Sequence, residues 1–130
     1  MRVLVVETQP HVRAALRFLL SQQSDIQCVG CIGAEPNLAA KLAILAADVI
    51  VLDWALPQHK AAHLLSVIHQ LPGQPRTVVL GSRPNAEQAA LAAGADAFVN
   101  KNDPPDTVLR MVRFVSVERR SPGKPEAAKA

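Results

Sequence analysis

Aromatic residues are scarce in this chain: one Trp, three Phe and no Tyr among 130 residues. The core must therefore be aliphatic, and a stacking platform for single-stranded nucleic acid is not expected. Cysteine is scarce too, with Cys28 and Cys31 alone and no second Cys or His pair at zinc-finger spacing. No apolar run approaches the roughly 20 residues that span a bilayer. The opening Met1-Arg2-Val3-Leu4-Val5-Val6 is too short before its acid to act as a secretion signal. A cytoplasmic protein without membrane contact is expected. A G-x-G-x-x-G loop is missing after the first apolar run, where Glu7-Thr8-Gln9-Pro10 stands, so no dinucleotide or flavin site is expected.

What is present suits one globular domain, since 49% of the residues are hydrophobic. Formal charge is +3, from 14 Lys and Arg against 11 Asp and Glu. Many bases come late: Arg110, Arg113, Arg119, Arg120, Lys124 and Lys129. They read as a solvated helix face and a soluble tail rather than a nucleic-acid surface. The chain stops before a helix-turn-helix could fit, so direct DNA binding is not expected of these residues.

Short apolar runs alternate with helical periodicity, the pattern of a parallel α/β sheet. Strands are expected near 2–6, 26–32, 48–52, 76–80 and 96–100, and helices near 9–22, 35–46, 58–70, 85–93 and 104–119. Val12, Leu16, Leu19 and Leu20 share one face of the first helix, with Thr8 as its cap and Pro10 in its first turn. Asp103 and Pro104 are expected to start the last helix, and Gly94 to end the one before it in a left-handed turn. The fold class is α/β: a (βα)5 doubly wound, parallel five-stranded sheet in a flavodoxin-like three-layer sandwich. It fills residues 1–120, and 121–130 read as a linker or tail. Cys28 and Cys31 fall on the second strand, where residues three apart face opposite ways, so they are expected to pack rather than do redox chemistry.

Three ionisable residues each follow an apolar run: Glu7 after Val3–Val6, Asp53 after Val49–Leu52, and Lys101 after Ala97–Asn100. In parallel sheets ligands bind outside the carboxyl ends of the strands. Two carboxylates and an ammonium should therefore meet at one sheet edge.

Asp-x-x-x-Pro at 53–57, Ala-Gly-Ala-x-x-Phe-x-x-Lys at 93–101 and the acid at Glu7 resemble the receiver domain of bacterial two-component response regulators, a CheY-like fold. The resemblance covers about residues 2–119. Asn102 after the lysine is similar to receivers that precede helix-turn-helix output domains. The resemblance implies Asp53 as phosphoacceptor, Lys101 as the lysine that contacts the phosphoryl group, and Mg²⁺ held by Glu7, Asp53 and the Ala55 backbone carbonyl. It also implies a sensor histidine kinase as partner, a homodimer through the fourth helix, fifth strand and fifth helix (with Arg110 and Arg113 contributing), and an output domain or partner protein outside this chain.

The departures matter as much. Thr8 stands where a second acid would touch the metal, and a neutral hydroxyl is a weak Mg²⁺ ligand. A unit charge pair at 4 Å is worth about 4 kcal/mol near a protein surface; even half of that weakens metal binding more than about tenfold. Weak or absent Mg²⁺ binding is expected. Gly81 and Ser82 stand where receivers place a switch hydroxyl, and Phe98 takes the aromatic switch position without one. His59, His63 and His69 are expected on the third helix as solvated residues, and Trp54 beside the pocket. A degenerate receiver that acts as a phosphorylation-independent interaction module is the alternative. An aspartyl-nucleophile phosphatase of the haloacid type needs an acid where Ala55 stands, so no enzyme activity is expected.

Overall fold

A computed structural model describes residues 1–117. Five parallel strands form one sheet: β1 (Arg2–Val6), β2 (Gln27–Ile32), β3 (Val49–Asp53), β4 (Arg76–Gly81) and β5 (Ala97–Asn100), in the order β2-β1-β3-β4-β5. The helices are α1 (Pro10–Ser21), α2 (Leu38–Leu45), α3 (Lys60–His69), α4 (Ala86–Ala92) and α5 (Asp106–Val117). The expected end of α5 near 119 and the tail at 121–130 lie outside the described residues.

The apolar runs form central strands because both of their faces are covered. Val3, Val5, Val49, Val51, Val78 and Leu80 pack against Leu16 and Leu20 of α1 and Val108, Val112 and Val115 of α5. Leu4, Val6, Ile50, Leu52 and Val79 face the other way, onto α2, α3 and α4 through Leu42, Leu64, Ile68 and Ala90. Every residue of β3 is buried. At about 1.5–3 kcal/mol for each large aliphatic side chain removed from water, this strand anchors the middle of the sheet and fixes Asp53 at its tip.

Four local expectations are corrected. Thr8 does not cap α1; Gln9 precedes Pro10 there, without a side-chain cap bond. The Thr8 hydroxyl is committed to Asp53 instead. The last helix starts at Asp106, not at Pro104, and the Thr107 and Val108 amides donate to the carbonyls of Pro104 and Pro105. A residue before proline is pushed out of the helical region, so two prolines in a row delay the start. His59 lies outside α3, in a left-handed conformation at φ 55° after Gln58 at φ 60°. It therefore shares no helical face with His63.

The fourth correction concerns the cysteines. Val3 pairs with Cys28 but Leu4 with Gly30, so Val29 is an extra residue in β2. This bulge resets the alternation, and Cys28 and Cys31 both pack against the α1–α5 side. Cys31 Sγ contacts the Arg13 carbonyl at 3.3 Å, and burial pushes its thiol pKa up. A protonated, half-buried thiol is a poor nucleophile.

Candidate functional site

Backbone bonds carry three strands one step past their last paired residue. The Glu7 amide donates to the Ile32 carbonyl at 2.9 Å, Trp54 to Leu80 at 2.8 Å, and Lys101 to Gly81 at 2.9 Å. Glu7, Asp53 and Lys101 thereby share one edge of the sheet. Lys101 Nζ lies 2.9 Å from Glu7 Oε2 and 3.0 Å from Asp53 Oδ1, and both carboxylates are fully buried. The expected convergence is present.

The Asp53 carboxylate is saturated. Oδ1 accepts from the Ala55 amide at 2.9 Å and from Lys101; Oδ2 accepts from the Thr8 amide at 3.0 Å and the Thr8 hydroxyl at 2.5 Å. Burial alone would raise its pKa, but the Thr8 hydroxyl and amide, the Ala55 amide and Lys101 outweigh that and lower it to about 2. Asp53 is an anion at neutral pH. Glu7 is poised the other way: burial lifts its pKa, offset in part by Lys101 and the Gln9 amide, with Asp53 adding to the rise. Its Oε2 is paired, whereas Oε1 is buried without a partner. Burial disfavours the Lys101 ammonium, yet its bonds to Glu7 and Asp53 raise its pKa overall.

Two participants escaped the sequence reading. The Gln9 amide donates to Glu7 at 3.1 Å, and its side-chain oxygen accepts from Lys101 at 3.3 Å. Arg13 Nη1 donates to the Glu7 carbonyl at 2.8 Å. Neither residue type carries a signal at this position, because both contacts depend on how the β1–α1 turn folds.

A cleft of about 320 Å³ opens beside Lys101, lined by Trp54, Gln58, His59, Gly81, Ser82 and Arg83 among others. Ser82 is exposed there, and among the described residues no hydrogen bond joins it to Asp53. Gly81 is filled from outside: a Cβ added to it would lie 3.0 Å from both Phe98 Cε1 and Ala86 Cβ. The half-buried Phe98 ring therefore occupies the space that a side chain at 81 would need. Gly81→Thr should destabilise the domain by about 1–2 kcal/mol through overpacking. Urea denaturation checks this, and the loss should shrink in a Phe98→Ala background.

The Mg²⁺ that the resemblance implies fits this donor set poorly. Mg²⁺ needs a near-octahedral shell of oxygens, but Asp53 has no unoccupied acceptor site and Thr8 Oγ1 is turned toward it as a donor. The orphaned Glu7 Oε1 is a single buried oxygen. Among the described residues, no group of three or more His, Cys, Asp or Glu side chains converges as metal ligands. Ala55 enters the site by its amide. Arg113 pairs with Asp25 at 3.0 Å and donates to Gln23 at 2.8 Å, toward the α1–β2 turn.

A parallel sheet in this order, with two acids and a lysine at its carboxyl edge, defines a doubly wound, flavodoxin-like α/β domain whose polar site lies at the strand tips. The family model of the response regulator receiver domain matches residues 3–113, and the chain belongs to that family. It is 34% identical over 103 residues to protein-glutamate methylesterase/protein-glutamine glutaminase 5 of Myxococcus xanthus, covering 77% of this chain and 30% of that protein. It is 30% identical over 116 residues to the transcriptional regulatory protein UhpA of Salmonella typhimurium, covering 88% of this chain and 58% of that protein. The response regulator domain of Thermotoga maritima CheB superposes with a TM-score of 0.77 at 25% identity, covering 92% of this chain and 98% of that one. The chain thus spans about a third to just over half of these longer relatives.

Proposed function

We propose that this receiver accepts a phosphoryl group on Asp53 and passes the change to an output through its surface. The observation that carries the reading is an ionised carboxylate with the Lys101 ammonium 3.0 Å away at the tip of the central strand. An Asp53 oxygen attacks the phosphorus of a phosphohistidine on a sensor kinase. The P–O bond forms as the P–N bond breaks, its electron pair returning to the imidazole nitrogen, which takes up a proton. Lys101 offsets charge on the transferred oxygens. Self-association through α4, β5 and α5 is supported by apolar side chains that stand exposed there, Leu91 on α4 and Phe114 and Val117 on α5.

Incubation of the full chain with acetyl phosphate should add one phosphoryl mass, and Asp53→Asn should abolish it. A folded wild type that never labels rejects the reading.

A second reading, the phosphorylation-independent interaction module, is favoured by one feature: Asp53 is buried with both oxygens occupied. Sedimentation with and without beryllofluoride separates the two. A shift in assembly that Asp53→Asn removes discredits the second.

A further inference from the structure

Thr8 does more in this pocket than leave out an acid. A cation beside an acceptor aspartate supplies positive charge to its outer oxygen and fixes the orientation of the carboxylate. Thr8 does both from one residue. Its amide at 3.0 Å and its hydroxyl at 2.5 Å converge on the same oxygen, Asp53 Oδ2. With Ala55 and Lys101 on Oδ1, the roughly four acceptor sites of a carboxylate are all taken. The β-branch of Thr8 restricts its χ1 and so helps to hold the hydroxyl in that direction.

We infer that Thr8 stands in for the divalent cation: its hydroxyl and amide close the pocket over Asp53 Oδ2 and make it indifferent to Mg²⁺. This rests on the receiver pocket described above but not on transfer to Asp53.

Trp54 supplies the readout. It is the only tryptophan of the chain, half-buried, directly after Asp53 and in the wall of the cleft. Its fluorescence in the full chain should not change saturably with millimolar Mg²⁺, and Thr8→Ser, which keeps the hydroxyl, should be equally silent. Thr8→Asp replaces the donor by a carboxylate and should gain saturable binding, tighter than wild type by about tenfold or more. Circular dichroism establishes that each variant is folded. The inference is overturned if wild type or Thr8→Ser titrates like Thr8→Asp, or if folded Thr8→Asp stays silent. Failure of phosphoryl labelling with this pattern intact sinks the acceptor reading and leaves the Thr8 assignment standing; labelling of a wild type that binds Mg²⁺ tightly does the reverse.

Discussion

Lys101→Met should cost the domain about 3–5 kcal/mol at neutral pH, the range for a buried ion pair that loses one partner. Lys101 is the cation that touches both Glu7 and Asp53, and each of those carboxylates is fully buried. Without it two anions face each other in a water-poor pocket, and only the neutral donors Thr8, Gln9 and Ala55 remain.

The pH dependence of the loss identifies its cause. The Lys101 pKa is raised in the folded chain, so its contribution is complete below the usual lysine value and is lost only as pH rises through the raised one. The ion pair is therefore intact across the neutral range. In the variant, Glu7 loses the partner that had been lowering its pKa, and burial then lifts it further. A raised acid takes up its proton more readily folded than unfolded, so the variant should recover stability as pH falls toward about 5. Wild type should begin to lose stability below about pH 4, because the depressed Asp53 contributes fully above its unfolded value and less as pH falls toward about 2. Urea titrations at mildly acidic and mildly basic pH read the difference. Adding Glu7→Gln to Lys101→Met should restore much of the loss at neutral pH. A cost under about 1 kcal/mol, as for an exposed pair, would show that the carboxylates are reached by water.

Much of this arrangement was legible from residue order. Val49–Leu52 is a run with no polar break, which only a strand covered on both sides tolerates, and the acid after it must then sit at a strand tip. The same logic places Glu7 and Lys101, and β1–β3 pairing, with Val6 opposite Leu52, brings Glu7 beside Asp53. What sequence could not carry was the direction of short polar side chains in turns. Thr8 has the character of a helix cap and the composition of a weak metal ligand; the fold spends its hydroxyl on a residue 45 positions away. Gln9 and Arg13 are invisible for the same reason.

Period-2 reasoning failed at one place, β2. A single bulged residue, Val29, turns two cysteines expected on opposite faces onto one. Bulges favour edge strands, and β2 is an edge, but nothing in Gln27-Cys28-Val29-Gly30 marks where the extra residue falls. Gly30 itself is tight: a Cβ there would lie 2.9 Å from Leu4 Cδ1. Arg113 shows the remaining limit, since a base on the exposed face of an amphipathic helix has many reachable partners. The α1–β2 turn supplies Asp25 and Gln23, which draw it away from the face where self-association is proposed.

Gly94→Ala should destabilise the domain by about 2–3 kcal/mol, from two sources that can be separated. Gly94 adopts φ +104°, and the helix end is closed by its amide on the Leu91 carbonyl and the Ala95 amide on the Ala90 carbonyl, both at 3.0 Å. A side chain at that φ is strained wherever it points, which accounts for about 1–2 kcal/mol. A Cβ would also lie 2.2 Å from His69 Cε1, whose ring reaches across from the end of α3 with Nε2 3.0 Å from the Gly94 carbonyl. His69 can swing out, giving up that contact. In a His69→Ala background the substitution should therefore keep its strain and lose only the smaller, steric part. Complete rescue by His69→Ala would mean that crowding, rather than backbone conformation, requires glycine here. Because Gly94 lies between α4 and the strand that leads to Phe98 and Lys101, Gly94→Ala should also alter the Trp54 emission of the cleft. A change in stability without that optical change would place the strain in α4 alone.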